Sequence, residues 1–302
     1  MKSKIFITGS SGFIGFHLAK KFLGHGYKVH GFDSMNTYYD VNLKKSRLSI
    51  LRSYKNFSFT KGHLENEKSL NKILIKFKPK IIVHLAAQAG VRYSIENPDI
   101  YLKSNILGTF NVIKVANKIK VKHLIIGSSS SVYGANKKFP FNENDKTDSQ
   151  VSLYAATKKS TEALAHSYSS LWKLPITMLR FFTVYGPWGR PDMAYFKFTK
   201  NILDGKKIDI YNKGKMYRDY TYVDDIVEGI YKLINKIPKL NSKKIKNDSL
   251  SPVAPFRILN IGNTKKILLL DFINTLEEEL KIKIKKNYLP MQKGDVHSTL
   301  SD

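Results

Sequence analysis

Tyr154-Ala-Ala-Thr-Lys158 sets a phenol and an ammonium four residues apart. On a helix that spacing puts both side chains on one face and within mutual reach. A free phenol ionises at a pH of about 10, so a tyrosine that removes a proton near neutrality needs positive charge beside it. Lys158 and an oxidised nicotinamide would supply that charge, which makes Tyr154 a candidate general base. Alone, the pair equally fits an incidental surface contact in a lysine-rich chain. A second set of residues shifts the balance: residues 8–15 read Thr-Gly-Ser-Ser-Gly-Phe-Ile-Gly. Gly9 allows a tight chain reversal, Gly12 would let the backbone approach a pyrophosphate, and Gly15 would let a following helix pack closely on the preceding strand. Asp33 lies eighteen residues past Gly15, where a carboxylate can accept from the adenosine ribose hydroxyls. It favours NAD over NADP, since a ribose phosphate would be repelled there.

These residues need elements to carry them. Residues 4–8, 27–32, 57–61, 80–87, 123–127 and 176–182 read as short buried strands, and 13–22, 66–78, 98–118 and 152–171 carry apolar residues at helical spacing. Strands alternating with helices predict an α/β fold, a Rossmann-type doubly wound parallel sheet with a smaller C-terminal substrate lobe. The expected division is an NAD-binding domain over 1–185, including the helix with Tyr154, and a mainly substrate-binding lobe over 186–302. Residues 236–256, rich in Lys, Asn, Ser and Pro, read as a surface loop, and no internal repeat is visible.

Composition narrows the class. The chain has 302 residues, 42% of them hydrophobic, and no cysteine, which excludes a disulfide framework or a thiolate metal site and agrees with a cytoplasmic setting. No apolar run approaches the roughly 20 residues that span a bilayer, and the N-terminus enters a strand without a signal-peptide pattern. No histidine and carboxylate cluster has metal-ligand spacing, so no metal is expected. His84 lies in an apolar strand and reads as a core histidine, His17 and His25 as helix packing or surface, and Asp224 and Asp225 as the start of a helix. The net charge of +27 would suit a polyanion, but only seven of the basic residues are arginines and the lysines are dispersed. Specific nucleic-acid and membrane partners are therefore not expected.

Nine segments together carry a family resemblance: residues 8–15, 38–41 (Tyr-Tyr-Asp-Val), 84–94 (His-Leu-Ala-Ala-Gln-Ala-Gly-Val-Arg-Tyr-Ser), 105–109, 128–134, 154–158, 180–193, 218–225 and 289–292. Along nearly its whole length the chain resembles extended short-chain dehydrogenase/reductases, and within them it is most similar to UDP-glucuronate 4-epimerases. The resemblance implies NAD as cofactor, a UDP-sugar as substrate, a homodimer and a place in polysaccharide synthesis. Its catalytic residues would be Tyr154, Lys158 and Ser129: Tyr154 taking the proton of the sugar 4-hydroxyl, Lys158 holding the nicotinamide ribose and lowering the tyrosine pKa, Ser129 bonding the reacting oxygen. Gly9, Gly12, Phe13, Ile14, Gly15, Asp33, Leu64, Leu85, Ala86, Ala87 and Asn105 would join Tyr154 and Lys158 around the cofactor. Arg190 would clamp the sugar carboxylate with help from Thr183 and from Ser130 or Ser131, Arg218 would meet the diphosphate, and Asp295 would join the substrate-binding residues. Arg180 reads as structural.

The chain departs from the family pattern at His63, where relatives usually carry an aspartate that accepts from the adenine amine, so either a weaker NAD affinity or a different reading of adenine is expected. It also ends at Asp302, soon after Gly294-Asp295-Val296, and is read as short in its C-terminal lobe. The readings left open on the same fold are a UDP-hexose 4-epimerase and a UDP-glucuronate decarboxylase. The one of another class is a catalytically silent NAD-binding protein.

Overall fold

The computed structural model describes residues 2–240 and 248–302. In chain order the first half runs β1 (Lys4–Thr8), α1 (Phe13–Gly24), β2 (Lys28–Asp33), α2 (Val41–Arg52), β3 (Phe57–Lys61), α3 (Glu67–Phe77), β4 (Ile81–His84), the single turns α4 (Tyr93–Glu96) and α5 (Pro98–Tyr101), α6 (Gly108–Lys118) and β5 (His123–Ser129). The second half runs α7 (Leu153–Trp172), β6 (Ile176–Phe181), β7 (Thr183–Tyr185), α8 (Ala194–Leu203), β8 (Ile208–Tyr211), β9 (Tyr217–Tyr222), α9 (Val223–Leu233), β10 (Phe256–Ile261), β11 (Lys266–Leu268), α10 (Leu269–Leu280) and β12 (Lys286–Leu289).

Seven strands form one sheet in the order β10-β6-β5-β4-β1-β2-β3, every pair parallel. The two-residue period of a strand sends alternate side chains of β1 to opposite faces. Ile5 and Ile7 enter a core with Phe16, Phe22, Val223 and Ile230 from α1 and α9, while Phe6 enters a second core with Leu74, Val112 and Ala165 from α3, α6 and α7. Helices thus cover both faces, as the sequence predicts. The remaining strands make two small sheets, β11-β9-β7 and β12-β8, beside a separate apolar cluster of Ile202, Ile208, Ile210, Ile273 and Ile284.

Three differences from the sequence-based elements have physical causes. Residue 256, taken as the end of a loop, instead opens β10, a seventh strand on the sheet edge, where side chains are only partly buried and the apolar signal is weak. Residues 241–247 of that loop lie outside the described residues. The strand expected over 80–87 ends at His84, because Thr8 takes over the next donors: its carbonyl accepts from Leu85 N at 3.2 Å, and its hydroxyl from Leu85 N and Ala86 N, each at 3.1 Å. The helix expected over 98–118 is interrupted by a π-helical turn at Leu102–Leu107, a form that often marks a functional site. Residues beyond 186 serve both halves, since β10 extends the main sheet and α9 packs on α1 through the first core.

Candidate active site

The strand order reverses between β4 and β1, and in such sheets ligands bind outside the carboxyl ends at the reversal. There the structure opens a cleft of about 1240 Å³, more than the roughly 300–1,000 Å³ typical of a single small-ligand site. Gly9, Gly12, Phe13, Ile14, Gly15, Asp33, Leu64, Leu85, Ala86 and Ala87 line it, as do Ser129, Ser130, Ser131, Tyr154, Lys158, Thr183, Arg190, Arg218 and Asp295. One candidate is elsewhere. Asn105, on the π-helical turn, is fully buried; its side chain accepts from Gln88 N at 2.7 Å and donates to Gln88 O at 3.0 Å and Thr157 Oγ1 at 3.1 Å. It holds the segment after β4 in place and does not face the cleft.

The glycine turn is packed against backbone on two sides. Gly9 has φ +73°, and a Cβ there would lie 2.8 Å from Ala86 N; a Cβ at Gly15 would lie 2.0 Å from Gly9 O. Helix α1 then starts with Gly12 as its cap residue, without a side-chain cap or an acidic residue in its first turn, which leaves its positive end to an external anion. Asp33 is fixed at the end of β2 by Ser11 N on Oδ2 at 3.0 Å and Met35 N on Oδ1 at 2.9 Å. His63, also on the cleft, stands with Nδ1 3.3 Å from Glu65 Oε1. The buried backbone cradle and the strand-end carboxylate fit a dinucleotide.

Helix α7 begins at Leu153, with Ser152 accepting from Ala155 N, and so places Tyr154 and Lys158 on successive turns. Lys158 is buried and donates to Gly127 O at 2.7 Å; burial pushes its pKa down to about 8, against the opposing pull of Glu162. Burial also raises the Tyr154 phenol, while a hydrogen bond from Ser129 and the charge of Arg190 pull it down. The Lys158 ammonium is bonded to the β5 carbonyl, and Ser129 and Arg190 favour the phenolate. Beneath them Arg180 donates from Nε and Nη2 to the two oxygens of Glu162, each at 2.9 Å. Glu162 also accepts from Ser128 at 2.7 Å, so Arg180 fixes the end of β5 and is structural, as read from the sequence. His84 is a core residue between Thr8 Oγ1 at 2.7 Å and Thr109 Oγ1 at 2.9 Å, its pKa pushed down to about 3 by burial.

Arg190 faces the cleft with its fork on Asp192, Nε to Oδ1 at 3.1 Å and Nη2 to Oδ2 at 2.5 Å, and Asp192 also accepts from the Tyr38 hydroxyl at 3.1 Å. Also on the cleft, Arg92 donates to Asp295 Oδ2 at 3.1 Å and lies 4.8 Å above the Tyr211 ring. Arg218 donates to Tyr217 O at 2.8 Å; burial lowers its pKa while Asp295 opposes. Arg92 thus pairs with Asp295, whose charge is also felt by Arg218. Among the described residues no group of three or more His, Cys, Asp or Glu could hold a metal, and no helix is long and apolar enough to cross a membrane.

Arg47 escaped the sequence reading. It is fully buried on α2, donates to Ser11 O at 3.0 Å in the glycine turn and to Trp188 O at 2.5 Å and Gly189 O at 3.1 Å beside Arg190. His17 meets the neighbouring Pro187 O at 2.9 Å. Nothing in α2 announces partners 141 and 142 residues away. Asp192 and Arg92 were findable, the first two residues from Arg190 and the second inside the 84–94 segment.

Comparison with known proteins agrees with this geometry. The family model described as the NAD dependent epimerase/dehydratase family matches residues 5–247. Protein CapI of Staphylococcus aureus is 51% identical over 301 residues, covering 99% of this chain and 90% of that protein. A probable UDP-glucuronate 4-epimerase of Rhizobium meliloti is 48% identical over 299 residues, covering 98% and 87%. The crystal structure of UDP-glucuronic acid 4-epimerase from Bacillus cereus, in complex with UDP-glucuronic acid and NAD, superposes with a TM-score of 0.88 at 33% identity, covering 99% of this chain and 90% of that one.

Proposed function

The chain belongs to the NAD dependent epimerase/dehydratase family, and from that premise we propose that it is an NAD-dependent UDP-glucuronate 4-epimerase, interconverting UDP-glucuronate and UDP-galacturonate through a 4-keto sugar. The observation that carries the reading is a single cleft holding the glycine turn, the Tyr154 phenol and the Arg190 guanidinium.

NAD, held by Gly9, Gly12, Gly15 and Asp33, supplies reversible hydride exchange at the sugar C4. Tyr154 takes the proton of the 4-hydroxyl as the C4–H bond breaks and C4=O forms, and returns it to the same oxygen after the sugar has turned. Ser129 bonds that oxygen and opposes the upward push of burial on the phenol. Lys158, tied to Gly127 O, places an ammonium beside the cofactor ribose. Arg190, with Ser130, Ser131 and Thr183, holds the C6 carboxylate. A 4-keto uronate is a β-keto acid and loses carbon dioxide when the bond to its carboxylate stands perpendicular to the ketone plane, so this hold must keep that bond near the plane. Arg218, Arg92 and Asp295 meet the nucleotide and its diphosphate. The reading includes a cytoplasmic homodimer; in its support, Leu102, Leu107, Leu171 and Trp172 leave large apolar surface exposed on neighbouring helical segments.

Purified protein incubated with UDP-glucuronate and followed by NMR tests the reading. UDP-galacturonate should appear without accumulation of reduced cofactor, and Tyr154→Phe should abolish turnover while sparing NAD binding. A UDP-pentose with carbon dioxide, or turnover confined to UDP-glucose, would overturn it.

A further inference from the structure

We infer that Asp192 tempers the affinity for a charged C6 group by competing with the substrate carboxylate for Arg190. This rests on the reading of Arg190 as the carboxylate clamp. Arg190 and Asp192 pair through two nearly parallel hydrogen bonds, at 3.1 and 2.5 Å, with side chains only 25% and 20% exposed. A fork so satisfied offers little to a neutral ligand, so a sugar with a hydroxymethyl group at C6 leaves the ion pair closed and meets no competition from Asp192. A uronate instead exchanges one carboxylate for another on the same guanidinium.

The exchange also needs somewhere for Asp192 to go. Tyr38 provides it, since its hydroxyl already donates to Asp192 Oδ2 at 3.1 Å and its ring is braced against Tyr93, 4.8 Å between centroids. When Arg190 turns to the substrate, Asp192 keeps this charge-assisted bond and is not stranded. Asp192, Tyr38 and Arg190 line the same cleft as Thr183 and Tyr154, so the competitor stands where the sugar must enter.

Calorimetric titration of NAD-loaded protein with UDP-glucuronate and UDP-glucose tests this directly. Asp192→Asn keeps the shape and removes the competing charge. It should lower the Kd for UDP-glucuronate about tenfold, or 1.4 kcal/mol, and leave the Kd for UDP-glucose within about twofold. Tyr38→Phe, which removes the second holder, should weaken UDP-glucuronate and spare UDP-glucose. Weaker binding of UDP-glucuronate to Asp192→Asn would show that Asp192 merely orients Arg190, and equal tightening of both ligands would show a general charge effect on the diphosphate; either overturns the inference while the epimerase reading stands. Should Asp192→Asn fail to fold, Asp192→Ser carries the same expectation. Wild-type protein that binds neither ligand would overturn the function as well.

Discussion

Gly15→Ala measures how closely the cofactor turn is built. A Cβ on Gly15 falls 2.0 Å from Gly9 O, 2.8 Å from Gly9 C and 3.1 Å from Ser10 Cα, whereas ordinary contact begins at 3.4 Å. All three obstacles are backbone, so none can rotate away, and the turn would have to retreat by about 1.4 Å relative to α1. It has no room to do so. Gly9 N is held by Phe32 O at 2.7 Å, and the space beside Gly9 is closed by Ala86 N, 2.8 Å from the position of a Cβ. Overpacking costs about 1–3 kcal/mol in cores that can adjust, and backbone on both sides puts this site at or above the upper end. About 3 kcal/mol of lost turn geometry corresponds to a more than hundredfold weaker NAD affinity, read by calorimetry, and to a Tm lower by several degrees. Gly24→Ala is the control: nothing lies within 4 Å of its Cβ, and the less flexible residue should hold or slightly raise Tm. Wild-type NAD affinity in Gly15→Ala would refute the close-packing argument.

Lys158, pushed down to about 8, should give turnover an alkaline limb near that pH, absent in Lys158→Met. Its stability effect runs the other way: between about 8 and 10.5 the unfolded chain holds more protons than the folded one, so urea midpoints should rise with pH across that window. Burial holds His30 and His123 at about 4 and His84 at about 3, all below 6.5; the unfolded chain therefore gains protons first, and unfolding free energy should fall as pH drops from about 6.5 towards 4. A flat urea midpoint there would show the three histidines free to charge in the fold. Arg47→Met deprives Ser11 O, Trp188 O and Gly189 O of a buried donor, at about 1–3 kcal/mol for each carbonyl left unpaired, so denaturant unfolding should lose roughly 3 kcal/mol or more. A loss below about 1 kcal/mol would mean that water reaches those carbonyls.

The central sheet was readable because parallel strands are buried on both faces and so appear as apolar runs, as in Ile5 to Ile7 or Ile81 to Val83. Strand β10 was not, because an edge strand buries less and Phe256 to Ile261 mixes in Arg257 and Asn260. The glycine turn was readable for a local reason, since everything it must avoid lies within seven residues of chain or on the adjoining β4 exit. Asn105 shows the limit of motif reading: its segment was recognised, but whether its amide faces the cleft or Gln88 depends on a π-helical turn that spacing does not reveal.

Pairings across the cleft were the least legible, and they decide the electrostatics. Tyr154 and Lys158 are neighbours along α7, so sequence spacing makes the ammonium the obvious source of phenol acidity. In the fold, Lys158 also donates to Gly127 O, and Ser129 at the end of β5 and Arg190 after β7 pull on Tyr154 from across the cleft. Arg190 in turn is shared with Asp192. The acidity of Tyr154, the proposed base, is thus tied to Arg190, the proposed clamp, because any carboxylate on Arg190 screens the charge that Tyr154 feels. An internal carboxylate already on that guanidinium makes the exchange for a uronate nearly neutral in charge, so substrate binding leaves the phenol in the field it had before. A lone, unpaired Arg190 would instead weaken its pull on Tyr154 each time an acidic sugar arrived.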